Sequence, residues 1–353
     1  MSSKVRVVIY GAGGYGGVGL VENLLNHPGV EISALVSREG AGEAYFKLYP
    51  HLRGMMDQEI EHAETFEPEG RGDFVFFSTP DGVGQKIASR YLKCGYRIID
   101  FSGDFRFNNP KTYEDYSAWQ QGKTEHACPE LLNDCVYGSP EWNREALKMA
   151  QVVGNPGCMA ISCLLALYPV SQPSLIDTDS IVLDVKTGIS GAGKKPKALF
   201  HFPAADGNSY AYKVGKHQHL FEIEKHLSLW TEKEVVVSFT PHVIPAVRGI
   251  LSTCYCKLDK NVEFSQVNEA FTKAYAQSPF VHYQGEALNE LIHARGSNQC
   301  RLSVNYVERN HSIVITSVID NLQKGQSGNA VQVMNIMLGL EETHGLTQYS
   351  RYP

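Results

Sequence analysis

Several hallmarks of particular protein classes are scarce or missing in this sequence. Only 8 of its 353 residues are cysteine, and none form a Cys-x-x-Cys pair. That is too sparse for a disulfide scaffold and lacks the usual metal-ligand spacing, so all eight are read as reduced, cytoplasmic thiols and no metal site is expected. An excess of positive charge is also lacking. The 32 Lys and Arg are outnumbered by 38 Asp and Glu, for a net charge of -6, so there is no basic footprint for nucleic acid. A small anionic substrate would need a local cluster of Arg, Lys or backbone N–H groups. No run approaches the roughly 20 apolar residues of a membrane span. The opening MSSKVRVVIYGAGG enters a strand without the apolar core of a signal peptide, so no membrane partner is expected. Internal repeats, low-complexity tracts and long charge runs are missing too.

What remains is the composition of a soluble globular chain, 43% hydrophobic and 20% charged, long enough for two domains. The first half alternates strand and helix signals. KVRVVIY, VEISALVS, DFVFFST and YRIIDFS read as strands, with helical VGLVENLLNH and GQKIASRYLKCG between them. This rhythm predicts an α/β fold with a parallel sheet covered on both faces. After Cys158 the strands SIVLDVKTG, VVVSFTPHV, GILSTCYCKL and SIVITSVID crowd together with fewer helices. A second, mixed or antiparallel sheet is expected there. The boundary falls near Asn155, giving a nucleotide-binding domain over 1–155 and a catalytic domain over 156–322. A late helical pattern within 323–353, SGNAVQVMNIMLGLEETHG, is expected to pack back on the first domain.

The first chemical motif is Gly11-Ala12-Gly13-Gly14-Tyr15-Gly16, a GxGxxG between a strand and a helix. In that context the glycines let the backbone approach a pyrophosphate whose charge the helix N-terminus favours. The second strand ends in Ser37-Arg38, where an NAD site usually has an acidic residue. A carboxylate would repel a 2′-phosphate and Arg can pair with it, so NADP(H) is the expected cofactor.

The stretch VVGNPGCMAISCLLALYP puts Cys158 on the first turn of a helix, behind a Pro156-Gly157 corner and ahead of a stop at Pro169. A helix N-terminus favours a thiolate nucleophile, yet free cysteine is equally often a small buried residue. Cys163 fits the buried reading. In GKHQHLFEIEKHL, His217 and His219 would point to one side if the approach is extended. Gly215 allows tight backbone there, Lys213 and Lys216 add positive charge, and Glu222 is placed to orient an imidazole. A pair of surface histidines is the alternative. Three further stretches resemble site loops. TGISGAGKK offers Ser190, Gly191 and Gly193, whose N–H groups could cradle a phosphate or the nicotinamide end. Arg248, after two prolines, could clamp a carboxylate or phosphate. FSGDFRF puts Ser102, Asp104 and Arg106 at the carboxyl edge of the first sheet, where an Asp–Arg pair could also be structural.

Taken together, YGAGGYGG, IIDFSGDFRF, VYGSPEWNRE, NPGC, TGISGAGKK, KHQHLFEIE, SFTPHVIPAVRGIL and DNLQKGQSGNAVQVMNIMLGL resemble, in order and spacing, the N-acetyl-gamma-glutamyl-phosphate reductase family. The resemblance runs nearly end to end. It implies a glyceraldehyde-3-phosphate-dehydrogenase-like plan: a Rossmann domain, an α+β catalytic domain, and a C-terminal helix rejoining the first. It implies NADPH-dependent reduction of an acyl phosphate through a cysteinyl thioester. Cys158 would be the nucleophile, His217 the acid or base, and His219, Arg248, Arg106 and Ser102 substrate ligands. A homo-oligomer, dimer or tetramer, is implied as well. The chain departs from the family at Met159-Ala160-Ile161, Tyr15-Gly16-Gly17 and Leu220-Phe221. Two other readings stand beside it: a reductase acting on aminoadipyl phosphate held on an acidic carrier protein, and a non-catalytic NADP-binding sensor.

Overall fold

The computed structural model describes residues 4–122, 125–171, 175–347 and 349–350; the outermost ends of the segments expected at 1–155 and 323–353 lie outside these. The chain divides into two compact units. One holds residues 1–156 and 326–347, the other 157–325 and 348–353.

In the first unit the strands are short, apolar and β-branched or aromatic, and most are buried on both faces. They are β1 (Val5–Tyr10), β2 (Val30–Ser37), β3 (Ile60–His62), β4 (Phe74–Phe77), β5 (Arg97–Asp100), β6 (Val136–Tyr137) and β7 (Val152–Gly154). Phe74, Val75, Phe76 and Phe77 are fully buried, as expected of a parallel sheet covered on both sides. Among the described residues the order is β3-β2-β1-β4-β5-β7-β6, and every pairing is parallel. The connecting helices are α1 (Tyr15–Leu24), α2 (Tyr45–Leu48), α3 (Gly84–Lys93), α4 (Pro110–Trp119) and α5 (Pro140–Met149). The short strands β3 and β6 are too brief to show a two-residue alternation, so no sequence pattern marked them.

The second unit begins with α6 (Cys158–Ser171) and β8 (Ile176–Thr187). Then come α7 (Phe202–Ala205), β9 (Tyr210–Ala211), α8 (Gln218–Thr231), β10 (Ser238–Val243), β11 (Ile250–Leu258), α9 (Phe264–Tyr275), β12 (Val281–Tyr283), β13 (Cys300–Val307) and β14 (Ser312–Ile319). Its sheet runs β12-β13-β14-β11-β8-β10-β9 among the described residues. The sheet is mixed: β8 pairs parallel with β10 and antiparallel with β11. Strand alternation is clear along β8, where Ile181, Leu183 and Val185 are buried and Val182 is exposed. The buried side faces α6, whose Ser162 hydroxyl bonds Ser252 of β11 at 2.8 Å and Ser317 of β14 at 3.1 Å.

Helix α6 does not stop at Pro169, contrary to the reading of the sequence; it continues to Ser171. Proline withholds the N–H that would bond the carbonyl four residues back. That carbonyl, on Leu165, instead accepts the hydroxyl of Tyr275 from α9. The long-range partner relieves the local cost. Finally the chain re-enters the first unit as α10 (Gly328–Met337), which packs on α1 and α5.

Candidate active site

In the first unit, the Gly11–Gly14 turn leaves β1 and enters α1. Gly11 has φ +97°, and a Cβ there would stand 2.2 Å from the Ser78 carbonyl oxygen, so only glycine fits. The N–H groups of Gly11 and Ala12 donate to the Val36 carbonyl at 2.8 and 3.1 Å, fastening the turn to the end of β2. Such a glycine-only approach at a strand-to-helix turn fits a dinucleotide pyrophosphate. Ser37 is buried and its Oγ accepts the Glu39 N–H at 3.1 Å. Arg38 is largely exposed and pairs with Glu64 at 3.0 Å. The Glu39 carboxylate lies beside the glycine turn, its Oε2 3.4 Å from where a Gly13 Cβ would stand, while the end of β2 itself carries Ser37 and Arg38.

The loop after β5 is held from within. Ser102 is buried and its hydroxyl donates to Asp100 Oδ1, while Asp104 accepts the Gly82 N–H, the Gln85 N–H and the Gln85 side chain. Burial pushes both carboxyls above their ordinary range, and Asp104 pushes Asp100 further. Arg106 Nε and Nη2 each donate at 2.8 Å, to the carbonyls of Asn155 and Phe101. The expected substrate ligands Ser102 and Arg106 therefore hold backbone and carboxylate of their own unit, because a buried hydroxyl and a half-buried fork take the partners nearby.

In the second unit, Cys158 opens α6 and is only half-buried, whereas Cys163 is fully buried. Gly325, just before the chain leaves the unit, packs against the nucleophile candidate; a Cβ on Gly325 would come within 2.8 Å of Cys158 Cβ. Gly157 is equally confined. A Cβ there would meet His219 Nε2 at 2.3 Å and Glu222 Oε2 at 3.0 Å. The Gly157 N–H donates to Glu222 Oε1 at 2.9 Å. Glu222 thus holds the corner before Cys158, with its other oxygen on the side of Gly157 where the His219 imidazole lies.

The two histidines meet on one side, as an extended approach predicts, for His217 is extended with φ -81° and ψ 138°. His217 is the N-cap of α8, and its Nδ1 accepts the His219 N–H at 3.1 Å. The cap brings the rings to 4.6 Å between centroids, edge to face. Since Nδ1 is an acceptor, the ring proton of neutral His217 lies on Nε2, toward the Tyr212 hydroxyl 3.5 Å away. Burial, then the charge of Lys213, holds the imidazole down to about 3, so it is neutral near pH 7. Tyr212 is pushed up by burial first and by the charge of Cys158 second, which ties Tyr212 to the cysteine as well as to His217. Lys213 itself has φ +45°, a strained conformation for a non-glycine residue.

The remaining loops of this unit interlock. Arg248 Nε and Nη2 grip Asp320, which is fully buried, at 2.9 Å each. Asp320 also accepts the N–H groups of Gly296, Leu322 and Gln323. Asn321 accepts the Gly249 N–H at 2.8 Å and donates to Ser190 Oγ at 2.9 Å. The amides expected to form a cradle are already used: Ile189, Ser190, Gly191 and Gly193 donate to the carbonyls of Ala246, Val247, Gly188 and Ser190. What the 187–193 loop offers a ligand is the surface of its glycines and the Ser190 side chain. Among the described residues there is no group of His, Cys, Asp and Glu that could hold a metal ion.

Sequence reasoning passed over Glu39, Tyr45, Tyr49, Tyr212, Asp320 and Asn321. Weak signals existed. Tyr45 and Tyr49 are four apart, one turn of a helix, and Asp320-Asn321 directly follow a strand pattern.

Residues 6–150 match the model of the semialdehyde dehydrogenase NAD binding domain, and residues 158–321 that of the semialdehyde dehydrogenase dimerisation domain. An N-acetyl-gamma-glutamyl-phosphate reductase of Bacillus anthracis is 39% identical over 350 residues, covering 99% of this chain and 100% of the relative. One from Bacillus cereus is likewise 39% identical over 350 residues, with the same coverage. Among solved structures, aspartate semialdehyde dehydrogenase II of Vibrio cholerae complexed with ASA has a TM-score of 0.72 at 18% identity, covering 96% of this chain and 99% of that one. The Candida albicans aspartate semialdehyde dehydrogenase with NADP has a TM-score of 0.64 at 17% identity, covering 95% and 99%. These structural likenesses establish the shared fold.

Proposed function

The chain belongs to the N-acetyl-gamma-glutamyl-phosphate reductase family, and from that premise we propose that it reduces N-acetyl-L-glutamyl 5-phosphate to N-acetyl-L-glutamate 5-semialdehyde with NADPH, a step of arginine biosynthesis. The observation that carries this reading is Cys158 itself: partly exposed on the first turn of α6, preceded by the confined Gly157 and packed against Gly325.

Cys158 thiolate attacks the acyl carbonyl, a C–S bond forms, and the C–O bond to phosphate breaks with its electron pair leaving on phosphate. The helix N-terminus stabilises both the thiolate and the oxyanion of the tetrahedral intermediate. Bound NADPH supplies the hydride that reduces the resulting thioester. The hemithioacetal oxyanion then collapses, the C–S pair returns to Cys158, and the aldehyde leaves. His217 serves this sequence as a neutral imidazole whose Nε2–H donates to the oxyanion. Its Nδ1 is held by the His219 N–H, so the ring keeps one orientation throughout. His219 and Glu222 position the Gly157 corner. Arg248 offers the part of its fork not engaged by Asp320 to the anionic end of the substrate. The glycine turn at 11–16 would hold the pyrophosphate of NADPH, and Arg38 its 2′-phosphate.

The protein works as an assembly of identical copies through the second unit. The sheet face away from α6 carries Val182 and Tyr255, 42% and 41% exposed and directly paired across β8 and β11, an apolar pair that a second copy would cover.

The test is turnover in the reverse direction: the purified protein with the semialdehyde, inorganic phosphate and NADP+, followed by NADPH formation. Phosphate-dependent production of NADPH is expected. No turnover with this substrate, or activity only with a carrier-bound aminoadipyl analogue, would overturn the assignment.

A further inference from the structure

The carbonyl groups of the glycine turn are pinned by two tyrosines. Tyr45 is fully buried, and its hydroxyl donates to the Ala12 carbonyl at 2.8 Å. One helical turn later, the Tyr49 hydroxyl donates to the Gly13 carbonyl at 2.8 Å and to the Gly14 carbonyl at 3.3 Å. The two rings lean on each other with centroids 5.3 Å apart. Gly17 closes the arrangement from α1, where a Cβ would lie 2.6 Å from the Ala12 oxygen. The peptide unit of Ala12 is thus held between Tyr45 and Gly17.

A trans peptide is planar, and its C=O and N–H point in opposite directions. Fixing the carbonyls of Ala12 and Gly13 toward α2 therefore sets the peptide planes that follow: the Gly14 N–H closes the turn on the Gly11 carbonyl at 3.3 Å, and the Gly14 carbonyl, which also accepts the Val18 N–H at 3.0 Å, leaves the Tyr15 N–H at the mouth of α1. A glycine-rich turn is free to flip its peptides. A flipped plane would present a carbonyl dipole to a phosphate and repel it. A hydroxyl donor on a carbonyl also polarises the peptide, so its N–H becomes a stronger donor. Burial pushes both phenols up, so they remain donors across the working range of pH.

We propose that Tyr45 and Tyr49 are positioning residues for the dinucleotide: they orient the peptide planes of the glycine turn so that its N–H groups receive the pyrophosphate. Their distance in sequence from the motif explains why a glycine pattern alone does not reveal them. This goes deeper into the cofactor reading above and rests on it.

The experiment is titration of wild type, Tyr45→Phe, Tyr49→Phe and the double variant with NADPH and, separately, NADH. Phenylalanine keeps the ring packing and removes only the hydroxyl. Each single change is expected to weaken binding roughly three- to tenfold, the scale of one net hydrogen bond. The factor should be the same for NADPH and NADH, because both carry the pyrophosphate. The rate at saturating NADPH should stay within twofold of wild type, a split between KM and kcat that a general loss of folding would not produce. Affinities within twofold of wild type would overturn the proposal. So would a loss confined to NADPH, which would place the tyrosines at the 2′-phosphate. Wild type that binds neither nucleotide would instead remove the cofactor reading beneath it.

Discussion

Gly325→Ala tests whether the position of Cys158 is set by its neighbours. The added Cβ would lie 2.8 Å from Cys158 Cβ, 3.2 Å from the Asp320 carbonyl oxygen and 3.4 Å from Cys158 Cα. Ordinary carbon–carbon contact is about 3.6 Å, so roughly 0.8 Å must be recovered by movement. The obstacles are backbone and a Cβ, with no flexible side-chain end to swing away. The loop also resists retreat, since the Gly325 N–H is bonded to Asp320 O at 2.9 Å and Asp320 is gripped by Arg248. Overpacking of this kind costs about 1–3 kcal/mol, and about 1 kcal/mol shifts the melting temperature of a 353-residue protein by ~1–2 °C. The effect on rate should be larger, because a displacement of ~1 Å at a reacting atom costs on the order of 100-fold. The expected variant is folded, melts a few degrees lower, binds NADPH normally and turns over about 100-fold more slowly. A stopped-flow hydride-transfer assay with a thermal melt reads both quantities. Turnover within twofold of wild type would refute the reasoning, since the nucleophile would then tolerate being moved.

Cys158→Ser should fold, bind NADPH and show essentially no turnover, because a serine hydroxyl is hardly ionised near neutral pH; Cys163→Ser, at a fully buried position, should lower the melting temperature and leave the rate intact. Arg38→Ala should raise KM for NADPH while leaving NADH nearly unchanged, and its exposed pair with Glu64 predicts almost no loss of stability; equal losses with both cofactors would show that it does not read the 2′-phosphate. His217 and His226 are both held down to about 3 by burial, below the ordinary 6.5 of the unfolded chain. Between those values the unfolded state binds more protons, so stability is complete above about pH 6.5 and falls as pH drops toward 3. Denaturant titrations across that window should show a shallower slope for His217→Asn than for wild type; an unchanged slope would mean that His217 does not titrate on unfolding.

The frame of this fold was legible because it depends on short-range pattern. A β-branched run followed by glycines and a helix announces a nucleotide turn, and strand alternation after Cys158 announces a second sheet. Cys158 was legible for the same reason, since a helix start behind Pro-Gly is a local feature. Its support was not, because each supporting contact joins residues far apart in the chain. Glu222 reaches Gly157 from 65 residues away, and Arg248 and Asp320 are 72 apart. Such pairs leave no periodic trace. Pro169 shows the same principle in the fold itself: local chemistry calls for a break, and one tyrosine from a distant helix supplies the bond that lets α6 continue. The arginines show its converse. Arg106 and Arg248 have the right chemistry to hold an anion, yet their forks are largely engaged by groups of their own units. A half-buried fork beside carbonyls or a carboxylate satisfies those partners first. Residue type therefore identified which side chains could do the chemistry. The hydrogen-bond partners, visible only once the chain is folded, show which of them hold the loops in place.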